Sequence, residues 1–139
     1  MDPFWVDLYI DPAMAPTAVN QIWPDLSDEG LVWGVTDPIP PGGTLILTYS
    51  ADPDQTHLYY NDEQSRYGGD LPPGTPIYAQ VDSYHPDTDY GSVREGDEMG
   101  GGGYNNISGG ISSRIITLPE VGFPAADSGP PADRGLPPR

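Results

Sequence analysis

The residues best suited to chemistry lie in one acidic stretch, His85-Pro-Asp87-Thr-Asp89-Tyr-Gly-Ser-Val-Arg-Glu-Gly-Asp-Glu98. Asp87, Asp89 and Glu98 stand at positions one, three and twelve of a calcium-binding loop. Position five, however, is Gly91 instead of an oxygen ligand, and position six is Ser92, where the sharp turn takes glycine. With no helix expected on either side, an EF-hand is set aside; a calcium site of another kind at Asp87 to Glu98 stays open beside a solvated acidic turn. A pair of carboxylates across a cleft can hydrolyse a glycoside. The eighteen acids of residues 1–107 supply many such pairs and none stands apart. His57 and His85 lack the HExxH or HxH spacing of a zinc site. Gly100 to Gly103 is not followed by the Lys and Ser or Thr of a phosphate loop, and no Gly-x-Ser-x-Gly elbow occurs. Trp and Tyr rings can stack on sugars, which makes Trp5, Trp23, Trp33, Tyr59 and Tyr60 the candidates for carbohydrate binding, although most are expected in the core. No catalytic, cofactor-binding or metal residue is assigned, and no cofactor is implied; the chain does not read as an enzyme.

The elements that would position these groups are strands. Phe4, Val6, Leu8 and Ile10 alternate with Trp5, Asp7, Tyr9 and Asp11, a period of two that marks a β-strand. One of its two faces must meet solvent or pack under a loop. Ala13 to Asp28 reads as loop, with Pro16 and Pro24 opposing a long helix and a single turn allowed near Ser27-Asp28-Glu29. Further strands are expected at Leu31 to Val35, at Thr44 to Tyr49 after the turn Pro40-Pro-Gly-Gly43, and at Ile77 to Tyr84 after Leu71-Pro-Pro-Gly-Thr-Pro. His57 to Tyr60 is a candidate edge strand, Asn61 to Asp70 a polar mobile loop, and Ser92 to Glu95 a last short strand. From Ser108 onward eleven of 32 residues are Gly or Pro, which reads as a linker or tail; Ile115 to Leu118 is its one strand-favouring segment. The expected organisation is therefore a domain over residues 1–107 and a disordered Gly/Pro-rich tail over 108–139.

Composition bounds the function. Net charge is −16, and all of it belongs to residues 1–107, where only Arg66 and Arg94 oppose the acids. Such a surface repels nucleic acid and anionic lipid, both of which need a basic footprint. Leu, Ile, Val and Phe make up slightly under a fifth of the chain, but thirteen of the fourteen aromatic residues lie at or before Tyr104, and large rings can supply a core. Cysteine is absent, so disulfides and thiolate chemistry are excluded; lysine is absent too, which removes Schiff-base chemistry. No run of about 20 apolar residues encodes a membrane span. Asn106-Ile107-Ser108 matches the N-glycosylation triplet.

The succession Pro-Pro-Gly-Gly-Thr with Leu-Ile-Leu-Thr, then Leu71-Pro-Pro-Gly-Thr-Pro-Ile-Tyr-Ala-Gln-Val-Asp82, then Val-Arg-Glu-Gly-Asp-Glu98 and Asn105-Asn106 resembles the CARDB family, the cell-adhesion-related, immunoglobulin-like domains of bacterial surface and secreted proteins. The resemblance covers Phe4 to Asn106. It implies an all-β, immunoglobulin-like antiparallel β-sandwich serving as a non-catalytic extracellular structural or adhesive module of a larger protein. Its partners would be proteins or cell surfaces met through loops or an exposed sheet edge, together with neighbouring domains. The alternative is a calcium- or carbohydrate-binding accessory module of a secreted enzyme. No basic and apolar leader follows Met1, so export would rely on sequence outside this chain. The family pattern also expects one or two strands before Phe4; their absence implies an unprotected edge, and with it marginal stability or strand-mediated association in isolation.

Overall fold

The computed structural model describes residues 3–50, 52, 54–93 and 106–112. They are all-β apart from one short helical turn: β1 (Phe4–Ile10), α1 (Trp23–Leu26), β2 (Glu29–Val35), β3 (Pro76–Val81) and β4 (Ile107–Ser112). The four strands form a single antiparallel sheet in the order β2-β1-β3-β4. β1 is bonded on both sides, with Val6 opposite Trp33 and Val81, and Leu8 opposite Leu31 and Ala79. None of the described helices is long and apolar enough to cross a membrane.

The alternation of β1 is present, but both of its faces are covered. One face carries Phe4 and Val6 with Leu31, Trp33 and Val35, under side chains of the loops that include Ile39, Leu47 and Tyr49. The other carries Trp5 and Tyr9 with Val32 and packs beneath Trp23 and Leu26 of α1. The long β1–β2 connection is thus the loop that covers the second face, and an immunoglobulin-like second sheet is not formed among the described residues. α1 is one turn long, consistent with Pro24 near its start. No side chain of its own N-cap residue serves it; instead the Asp7 carboxylate of β1 accepts from Trp23 N at 2.9 Å. The same carboxylate accepts from Ser83 Oγ at 2.5 Å, and Asp7 is 0% exposed. Beside it the Tyr9 hydroxyl lies 2.6 Å from Gln80 Oε1 and 2.5 Å from the Gln21 carbonyl, and donates its one proton to either. Gln80 Nε2 donates to Ala18 O at 2.9 Å. This buried polar layer staples the 17–23 loop to β1 and β3.

Several expectations are corrected. Thr44 to Tyr49 keeps its alternation, with Leu45, Leu47 and Tyr49 half-buried and Ile46 exposed, but it joins no ladder of the described strands. His57 to Tyr60 contributes one isolated bridge, Tyr60 with Trp33; Tyr59 takes a left-handed backbone (φ 63°) that interrupts an extended strand. Asn61 to Arg66 is not a detached loop. Gly30 and Arg66 exchange two backbone bonds of 2.8 Å, Val32 N donates to Ser65 Oγ, Asn61 N donates to Val32 O, and Gly34 N donates to Tyr59 O. The outer edge of β2 is thereby capped, and the open edge expected from missing opening strands does not exist on that side.

β3 ends at Val81, short of the expected Tyr84, because Asp82 turns the chain with φ 54°. Residues 108–112 belong to β4 and not to a tail. Their glycines made them read as linker, yet a Cβ on Gly109 would stand 2.5 Å from the Tyr78 ring, and Gly110 (φ 73°) lies beside the register shift at Ile77/Tyr78. Glycine here permits the pairing. Glu95, Glu98, Gly100 to Gly103 and Ile115 to Leu118 lie outside the described residues.

Candidate functional site

In the acidic loop, Asp87 and Asp89 are exposed, while the carboxylate that organises the segment is Asp82, 3% exposed. Its two oxygens accept from Ser92 N and Val93 N, each at 2.7 Å. Asn20 ties the loop to the β1–β2 connection by accepting from His85 N at 3.0 Å and donating to Thr88 O at 2.7 Å. His85 Nδ1 accepts from Asp87 N at 3.1 Å, and Thr88 Oγ1 donates to Gly91 O. Gly91 (φ 89°) is required, since a Cβ there would lie 2.4 Å from the Asp82 carboxylate. Among the described residues no group of three His, Cys, Asp or Glu is placed to hold a metal. Asn106, the glycosylation candidate, has its Nδ2 buried without a hydrogen-bond partner among the described residues.

His57 serves a second loop. Its Nε2 accepts from Ser50 N at 3.0 Å, so the ring proton resides on Nδ1, which faces Thr48 Oγ1 at 3.3 Å. The ring also packs tilted against Tyr49, with centroids 5.9 Å apart and an interplanar angle of 42°.

Of the aromatic candidates for sugar stacking, Trp5, Trp23 and Trp33 are buried, as expected for core residues, while Tyr59 and Tyr60 are half-buried. The structure gathers Trp33 with two further aromatic residues, Tyr49 and Tyr67, around a cavity of about 310 Å³ on the first face of the sheet. Leu8 and Ile10 of β1, Leu31 of β2 and Ile77 of β3 form its floor, because paired positions Leu8/Leu31 and Ile10/Ile77 point to the same side. Trp33, Tyr49 and Tyr67 wall it. Tyr49 and Tyr67 meet at 5.7 Å and 75°, making a corner; Tyr60 packs behind, 5.0 Å from Tyr49 and 6.1 Å from Trp33. Trp33 Nε1 donates to Thr48 O at 3.1 Å, which fixes the loop that brings Tyr49 over the sheet. Tyr49 and Tyr67 were not singled out by sequence. The alternation of 45, 47 and 49 marked Tyr49 as inward, but nothing linked it to Tyr67 across 18 positions.

The phenols of this cluster are held protonated. Burial raises all three, most for Tyr60, which is pushed up to about 12; Asp62 adds to the rise at Tyr49, and Glu29 then Tyr49 and Asp70 add to it at Tyr67. A folded pKa above the ordinary value of 10.0 means that the fold favours the protonated phenol. This contribution is complete below pH 10 and is lost as pH rises through about 12. The expected result is a thermal midpoint that falls across that window, with a late phenolate step at 295 nm that Tyr60→Phe removes. Ionisation of all nine tyrosines in a single step near 10 without loss of stability would contradict it.

No protein-family model, curated protein or solved structure matches this chain.

Proposed function

We propose that the chain is a non-catalytic structural or adhesive module, immunoglobulin-like in the CARDB manner, acting outside the cell as part of a larger bacterial surface or secreted protein. The observation that carries this reading is the use made of the chemically capable side chains. Asp7, Asp82 and His57 accept backbone N–H groups of other segments, and His85 accepts that of Asp87 within its own turn. They hold loops in place instead of converging on one cleft. Rigidly held loops on an acidic β-framework suit spacing and presentation, with partners met through those loops.

Thermal melts of the full chain with and without millimolar calcium, joined to a glycan array, test the reading. A structural module is expected to keep its midpoint and leave the array silent. A ligand at about 100 times its Kd stabilises by about 2.7 kcal/mol, which for a domain of this size lifts the midpoint by about 10 °C or more. A calcium-dependent rise of that order, saturating in a calorimetric titration, would replace the structural reading with an ion-binding one.

A further inference from the structure

We propose that the cavity between the sheet and the Tyr49–Tyr67 corner is a binding site for a small organic cation with an apolar body, an alkylated ammonium group of the choline kind. This inference does not rest on the module being extracellular or adhesive.

Three observations select that chemistry. The volume of about 310 Å³ lies at the small end of ligand pockets, which run from about 300 to 1,000 Å³. It opens to solvent, since Leu8, Tyr49, Tyr67 and Ile77 are all only half-buried. The lining is aliphatic and aromatic, which disfavours a hydrated metal ion that requires oxygen ligands and a sugar that requires many hydrogen-bond partners. Rings of Trp and Tyr attract cations through their negative π faces, and two rings set nearly at right angles give such a group two walls at once.

Charge then decides between a cationic and a neutral apolar occupant. The Glu29 carboxylate accepts from Gly68 N at 2.8 Å, one residue from Tyr67, and exposed Asp70 follows three residues on, so carboxylates lie near the aromatic wall; both act on the Tyr67 phenol. Arg66, the only Arg or Lys among the described residues, does not line the cavity. A cation entering here meets a favourable field on an apolar floor, whereas a carboxylate or phosphate ligand would be repelled.

The test is an NMR titration of the full 139-residue chain with choline and, separately, with 3,3-dimethylbutan-1-ol, its neutral isostere. The Trp33 indole N–H reports the cavity, and those of Trp5 and Trp23 report the fold. The expected result is a saturable Trp33 shift with choline, at an affinity at least about tenfold above that of the isostere. Tyr67→Leu should weaken choline about tenfold and Tyr67→Phe should not. Exposed Asp70, changed to Asn, should weaken choline alone and leaves the fold unperturbed even if the Tyr67 variants do not. Equal binding of the isostere would make the site a neutral apolar pocket, and absence of a saturable shift would make it a packing gap; either result overturns the proposal, as does indifference of choline binding to Asp70→Asn.

Discussion

Asp7→Ala is expected to cost about 3–5 kcal/mol, since each buried donor stripped of its acceptor loses about 1–3 kcal/mol and at least two donors are stripped. Those donors are the Trp23 backbone N–H and the Ser83 hydroxyl. The first holds α1 over the second face of the sheet, so its loss frees Trp23 and Leu26 from their docking position against Trp5 and Tyr9. The second anchors the chain just past β3. Removal of a fully buried charge relieves some desolvation, which keeps the net cost below the sum of the separate terms. Asp7→Asn separates the contributions. The amide preserves shape but offers one acceptor oxygen, and Trp23 N and Ser83 Oγ reach different oxygens, so the NH₂ must face one of these donors and roughly half of the alanine cost is expected. Urea melts measure both: the midpoint should fall with little change in slope. Against a total stability of about 5–15 kcal/mol, the alanine variant is expected to be partly unfolded at 37 °C. A loss below about 1 kcal/mol would mean that its partners find water or another acceptor.

Asp7 also illustrates what the sequence conveyed and what it hid. The period of two placed Phe4, Val6 and Leu8 on one side of β1 and Trp5, Asp7 and Tyr9 on the other, and both assignments match the structure. Periodicity separates faces; it does not say how many of them are covered. A lone carboxylate between two large rings was the available sign that the second face is interior, where a carboxylate needs donors from outside its own strand. Thr44 to Tyr49 makes the complementary point. Its inward residues were legible from alternation, but whether a backbone joins a ladder depends on a neighbour distant in sequence. Ser108 to Ser112 failed for the opposite reason: composition argued for a tail, while Gly109 is small because the Tyr78 ring lies against it. The cavity was the least legible feature, because its floor comes from three strands and its walls from Trp33 of β2 and two loops that meet only in the folded chain.

Gly30→Ala is expected to destabilise by about 3 kcal/mol or more, at or beyond the upper end of ordinary overpacking. A Cβ at this position would stand 2.3 Å from Trp23 Cγ, 2.4 Å from Cδ2 and 2.7 Å from the Leu8 carbonyl oxygen. The ring cannot simply swing aside. It is 1% exposed, its Nε1 donates to Gln64 O at 2.8 Å, and its backbone N–H is the donor bound by Asp7. Gly30 cannot retreat either, because its N–H and carbonyl are both bonded to Arg66 across the capped edge of β2. Gly68→Ala is the matched control: its added carbon would meet nothing nearer than the Glu29 carboxylate at 3.8 Å, and it should be close to neutral. Combining Gly30→Ala with Trp23→Leu identifies the source of the cost. If the methyl fails because the indole is immovable, the smaller side chain makes room, and the double variant loses less than the two single losses added together by about 1 kcal/mol or more. Strict additivity would place the conflict with the Leu8 carbonyl instead, making the tight approach of β1 and β2, and not the Trp23 ring, the reason for glycine at position 30.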